Sequence, residues 1–156
     1  MHLLFIAATL ALVTQASAAD TQPTAAMMAP LKILLRAANG DSSADVSKIC
    51  SKDAVIMDEP PPHRWDGETA AVDWLASLKV QFKDQQVTGA RAEFHTVSVY
   101  EHSADRAWIV IPTTWTGAQG GRRFEEDGVW SFLVVQSGDA WKISADSWSV
   151  TDLKYL

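Results

Sequence analysis

The chain has 156 residues, with 13 Lys and Arg against 19 Asp and Glu, for a formal net charge of −6. That balance argues against a nucleic-acid binder, which needs clustered cations; the one basic pair, Arg122-Arg123, is followed at once by Glu125-Glu126-Asp127. Cys50 is the sole cysteine, so no internal disulfide can form and the core must hold the fold unaided.

Residues 1–19 are expected to be a signal peptide. Leu3–Val13 is an apolar run too short to span a bilayer, and it ends in Ala16-Ser17-Ala18-Ala19, small residues that suit a signal peptidase. The segment before it, Met1-His2, lacks the usual Lys or Arg. Export predicts a periplasmic or secreted protein with no membrane association after cleavage. Residues 20–26, with Pro23, form an expected flexible leader, and residues 27–156 one domain.

Met27, Leu31, Leu34, Leu35 and Ala38 keep helical spacing on one face, and Asn39-Gly40 is a stop. Pro30 fits such a helix only near its first turn. Ser42 is placed to cap a second, short helix through Ile49, with Val46, Ile49 and Cys50 in its apolar phase. Cys50 there reads as a buried small hydrophobe. Ala54–Glu59 reads as a strand stopped by Pro60-Pro61-Pro62. Asp66 then caps a third helix with the stripe Val72, Leu75, Leu78 and Phe82.

Four long strand-like runs fill the second half: Val87–His102, Arg106–Thr116, Arg122–Gln136 and Trp141–Val150. Helices first and a strand meander after them predict an α+β fold, with N-terminal helices packed on a curved antiparallel sheet. Pro112 marks an edge, bulge or bend. Both faces of the late strands are apolar: Ile109 and Ile111 alternate with Trp108 and Val110, while Val129, Leu133 and Val135 alternate with Trp130, Phe132 and Val134. A one-sided sheet would alternate apolar with polar, so a second layer is expected, and a homodimer through the outer sheet face is the simplest one.

The stretch Asp53-Ala54-Val55-Ile56-Met57-Asp58-Glu59-Pro60, followed by Trp65-Asp66-Gly67-Glu68-Thr69-Ala70-Ala71-Val72, resembles the NTF2-like (SnoaL-like, cystatin-like cone) superfamily. There a short strand ends in an acidic residue and proline, and a glycine opens a helix after a loop. Gly138-Asp139-Ala140-Trp141-Lys142-Ile143 resembles that superfamily's approach to its last strand, and the likeness covers nearly all of Met27–Val150. It implies a cone enclosing a small-molecule pocket. From Asp53 to Gly67 the spacing is similar to that of the ketosteroid isomerases, and Asp58 falls where their general base sits. Their tyrosine donor falls on Ile33 and their second acid near Ser131, so the oxyanion pair is missing and that activity itself is not expected.

Asp58 is thus the candidate general acid/base, although an acid before proline also commonly ends a strand and caps a turn. Strand alternation would turn Glu59 to the opposite face. His63, in the following loop, is placed to close the cavity mouth. His95 and His102 are separated by an odd number of positions, which puts them on opposite strand faces. Tyr100 shares a face with Phe94, Ser98 and His102; if that face looks inward, Tyr100 and His102 face Asp58 as donor and proton shuttle. The chain has seven tryptophans. Their ordinary role is core and dimer packing; the other is a cavity wall for a flat or cyclic ligand, with Trp74, Trp108, Trp130 and Trp148 as nominees. No nucleotide loop or metal-ligand spacing is visible, so no cofactor and no metal is expected.

The leading expectation is an exported cone protein that binds a small apolar or cyclic molecule. One alternative is a cofactor-free isomerase, dehydratase or hydrolase using Asp58. The other is an accessory protein-interaction module with a filled cavity and an exposed apolar patch.

Overall fold

A computed structural model describes residues 21–156. The signal segment expected at 1–19 lies outside the described residues. The elements in chain order are α1 (Ala25–Ala38), β1 (Cys50–Met57), β2 (Arg64–Asp66), α2 (Ala70–Asp84), β3 (Val87–Phe94), β4 (Val99–His102), β5 (Arg106–Gln119), β6 (Arg122–Ser137) and β7 (Ala140–Tyr155). The helices pack on one face of a curved sheet ordered β2-β1-β7-β6-β5-β3, with β4 also paired to β5. The sheet is mixed rather than wholly antiparallel, because β1 and β7 run parallel while every other pairing is antiparallel. No helix among the described residues is long and apolar enough to cross a membrane.

Helix α1 starts inside the stretch expected as leader. Thr24 caps it by accepting the Met27 N–H at 3.3 Å, and Leu31 and Leu34 are completely buried. Its C-terminus is tied to the sheet by Asn39, whose amide donates to the Ala92 carbonyl at 2.9 Å and accepts the Ala92 N–H at 2.7 Å. The expected short helix over Ser42–Ile49 does not form. Asp41 accepts the Ser43 N–H and hydroxyl, and Asp45 accepts those of Ser47, so local side-chain bonds replace the helical ladder. The segment still buries Val46 and Ile49.

Helix α2 also departs from expectation at its start. Asp66 does not cap it; Asp66 pairs with Val55 across β1–β2 and is bonded to Arg64, and the helix begins at Ala70. Val72 is therefore left exposed, while Trp74, Leu75 and Leu78 are buried. The run expected as one strand over Val87–His102 is split into β3 and β4. The break faces Pro112, which has no N–H to donate; its carbonyl accepts from His95 N, and Ser98 bonds to the Val110 carbonyl instead.

Two bulges in β7 decide what the concave face presents. Leu133 pairs with Ala145 and Val134 with Ile143, so Ser144 is an extra residue. Asp127 pairs with Asp152 and Gly128 with Val150, so Thr151 is another. Each insertion reverses the in–out alternation of the strand. The inward set becomes Ile143, Asp146 and Trp148, then Val150, Leu153 and Tyr155.

Gly128 on β6 makes room for one of these side chains. A Cβ there would lie 2.4 Å from the Trp148 ring. Gly128→Ala should destabilise the protein by about 1–3 kcal/mol and shift its tryptophan emission, measured by urea denaturation. Wild-type stability and emission would show that the ring has slack.

Candidate functional site

The end of β1 opens into a cavity of about 280 Å³. Asp58 lies on its wall, one residue beyond the strand, where a turn through Pro60 carries the chain back to β2. The His63 N–H donates to the Pro60 carbonyl at 2.8 Å and closes that turn. The turn also brings Glu59 to the cavity wall. Alternation does not apply to it, because β1 ends at Met57.

Both carboxylate oxygens of Asp58 are held. Oδ2 accepts the Trp74 Nε1–H at 2.6 Å and Oδ1 accepts the Glu59 backbone N–H at 2.6 Å. Each oxygen keeps a second lone pair for a proton. Burial pushes the Asp58 carboxyl up, aided by the Glu59 charge and opposed by the two hydrogen bonds, from 3.8 to about 6.

Two further acids crowd the same region. Burial, Glu59 and Asp58 together push the carboxyl of Glu126 on β6 to about 7, opposed by the nearby Trp148 indole. Asp146 on β7 is buried against Trp130, whose Nε1–H it accepts. Burial, with a smaller push from Asp58, raises it well above the ordinary range. Its Oδ2 is buried with no hydrogen-bond partner, which a neutral carboxyl tolerates far better than a carboxylate. The three indoles touch in series, Trp74 to Trp130 at 5.8 Å and Trp130 to Trp148 at 6.0 Å between ring centroids.

The nominated ligand residues fall in different places. Trp148 lines the cavity, whereas Trp74 and Trp130 sit behind the wall as indole donors. Trp108 is 42% exposed because its phase on β5 is opposite to that of buried Ile109 and Ile111. The His63 side chain is exposed; its part is played by the backbone. Tyr100 and His102 stack on each other at 5.2 Å, and the Tyr100 hydroxyl donates to Met27 Sδ at 3.4 Å. They share the inward face with Phe94, standing opposite buried Ile109 and Ala107, but they lie under the start of α1 and do not line the cavity. His95 and His102 do lie on opposite faces: His102 stands opposite buried Ala107, whereas His95 bonds at 2.8 Å to Oγ1 of Thr114, on the other face of β5.

Sequence reasoning passed over Asp146 and Glu126 as well as Trp115, Phe124, Leu153 and Tyr155, which line the cavity with Phe82. Simple alternation turns Asp146 outward from Ile143, so only the bulge at Ser144 could have revealed it. Ile33 and Ser131 supply no phenol or acid to the cavity. Cys50 is buried, and burial pushes its thiol to about 11, which leaves it inert as a nucleophile. Among the described residues no group of three or more His, Cys, Asp and Glu is arranged to hold a metal ion.

An acid with a raised folded pKa binds its proton more tightly when folded. The stability Asp58 contributes is thus present below its unfolded value of 3.8 and is lost as pH rises through about 6. Asp58→Asn keeps an oxygen acceptor for Trp74 but cannot ionise. Urea denaturation should find it close to wild type at pH 4 and about 1–3 kcal/mol more stable at pH 8. No gain at pH 8 would mean that Asp58 ionises without penalty.

No protein-family model and no curated protein sequence matches the chain. Solved structures do. A type 3 hexachlorocyclohexane dehydrochlorinase from Novosphingobium barchaimii is 16% identical, with a TM-score of 0.72 over 85% of this chain and 88% of that one. A candidate scytalone dehydratase from Novosphingobium aromaticivorans is 11% identical, with a TM-score of 0.64 over 83% and 84%. An uncharacterised protein with a cystatin-like fold from Caulobacter vibrioides is 18% identical, with a TM-score of 0.63 over 81% and 88%. At such identities the likeness is one of fold: the chain has the α+β architecture of the NTF2-like cone.

Proposed function

We propose that the protein is a cofactor-free enzyme of the dehydratase type, in which Asp58 removes a proton from carbon in a small cyclic or apolar molecule. The observation that carries this is the Asp58 carboxylate itself, on the wall of an open cavity, oriented by the Trp74 indole and poised near 6. A base with that pKa is ionised at neutral pH yet accepts a proton readily. Elimination suits the site better than isomerisation. An enolate would need oxyanion donors, and the positions that supply them in ketosteroid isomerases hold Ile33 and Ser131. In elimination Asp58 takes the proton, the C–H pair becomes the new double bond, and the leaving group departs from the next carbon with its bonding pair. The names of two structural neighbours, a dehydrochlorinase and a candidate dehydratase, describe eliminations.

Simple binding of a small apolar molecule in the same cavity is the second reading, favoured by the absence of an oxyanion pair. An accessory interaction role rests on the exposed apolar residues alone. We also place the protein outside the cytoplasm, on the signal-like segment at 1–19, and as a homodimer through the outer sheet face. The support for the dimer is the exposure of Trp108 at 42% and Val99 at 40% on that face. Light scattering at micromolar concentration should give twice the chain mass; a monomer mass would count against it.

For the chemistry, the panel to screen is hexachlorocyclohexane, scytalone and other cyclic halides and alcohols, amino-substituted ones included, with product followed by chromatography. Turnover of at least one compound should fall by about a hundred- to ten-thousand-fold in Asp58→Asn. Turnover retained in that variant, or none across the panel in wild type, would contradict the elimination reading and leave binding.

A further inference from the structure

We propose that the molecule bound in this cavity carries a cation, an ammonium group on a cyclic or aromatic body. This deepens the proposed function and rests on the same cavity holding the ligand. Three carboxyl groups, those of Asp58, Glu59 and Glu126, line the wall, and no Lys, Arg or His lines it. The charges that act on Glu126 are those of Glu59 and Asp58, and the one that acts on Asp58 is that of Glu59; no cation offsets them. Such a cluster is short of one positive charge. In the empty protein a proton held on Glu126 to about 7 fills that need in part.

The rest of the wall has the character that receives organic cations. Phe82, Trp115, Phe124, Trp148 and Tyr155 present aromatic surface to the cavity. A cation within about 6 Å of such a ring centroid is attracted by its quadrupole. The rim already shows this contact within the chain: the Arg122 guanidinium lies 4.7 Å from the Tyr155 ring centroid. An independent observation asks for a donor rather than an acceptor. Gln81 lines the cavity, and its Oε1 is buried with no hydrogen-bond partner. An ammonium N–H bonded to that oxygen would satisfy an acceptor that is costly to leave unpaired. An anionic ligand would meet only like charge, and a neutral one would leave the carboxylates uncompensated.

The placement also suits the chemistry. The ammonium belongs with Glu59, Glu126 and Gln81, which leaves the Asp58 oxygen lone pairs for the carbon-bound proton. Glu126 gives up its proton as the cation arrives, so binding releases protons to solvent.

The test compares 2-phenylethylamine, protonated at pH 7, with its near-isostere 2-phenylethanol, using calorimetry and tryptophan fluorescence. The ammonium compound should bind about tenfold or more tightly. Its measured heat should vary with the ionisation heat of the buffer, showing proton release, while that of the alcohol should not. Glu126→Gln should reduce the preference to less than about threefold. Should that variant fail to fold by circular dichroism, Glu59→Gln is expected to weaken the preference in the same sense. Equal affinity for the two compounds, tighter binding of the alcohol, or no binding of either would overturn the cationic class. The elimination reading stands or falls separately, by the effect of Asp58→Asn on turnover across the whole panel, charged and uncharged members alike.

Discussion

Three carboxyl groups are taken out of water without a cation to meet them, and much of the cone is arranged around that constraint. An isolated buried carboxylate is costly enough that it either finds hydrogen bonds or keeps its proton. This protein does both, in proportion to depth. Asp58 and Glu126, on the cavity wall, are shifted part of the way towards neutrality, whereas burial pushes Asp146, closed off beneath them, well above the ordinary carboxylate range. For Asp58 and Asp146 the side-chain donor is an indole N–H, which supplies one directed bond and a large apolar body and adds no charge. A guanidinium in the same place would have pulled the acids down and left no base near neutrality.

The backbone serves this arrangement through its irregularities. The bulge at Ser144 turns Asp146 inward opposite Phe132, and the bulge at Thr151 turns Leu153 and Tyr155 into the cavity. Gly128 leaves the space in which the Trp148 ring stands over the strand. Trp74 reaches Asp58 from α2, so the base is braced by an element outside the sheet. A base held on both oxygens, with one donor from a helix and one from its own turn, is preorganised for proton transfer at a fixed position. Its raised pKa is also a cost to folding at neutral pH, the usual mark of a site kept for function rather than stability.

Much of the fold was legible. The apolar spacing of α1 and α2, the order of helices before strands, and the stretch around Asp58 and Gly67 all pointed to the cone. What the pattern missed has physical causes. Ser42 and Asp45 look like a helix start, but Asp41 and Asp45 bond locally to Ser43 and Ser47 and consume the signal. Pro112 announced a bend on its own strand, yet its consequence appears on the neighbour, as the gap between β3 and β4. The site was legible at Asp58 and in part among the tryptophans, with Trp148 on the cavity wall and Trp74 bonded to Asp58 behind it. Tyr100 and His102 do face inward, as alternation allowed, but at the end of the sheet under α1 and away from the cavity, whereas Trp108 was taken in the wrong phase. Asp146 was missed by alternation carried across a bulge. Parity holds only while pairing is regular, and this sheet concentrates its chemistry where pairing is not.

The most direct test of these indole-held acids is a carbon-13 titration of the side-chain carboxyl groups, read by NMR between pH 3 and 9. The geometry predicts a midpoint near 6 for Asp58 and near 7 for Glu126, and one for Asp146 well above the ordinary carboxylate range. Trp74 indole proton shifts should follow the Asp58 curve, since that N–H bonds its oxygen. Midpoints near 4 for all three acids would mean that they are solvated, and would contradict both the poised base and the cavity short of a cation.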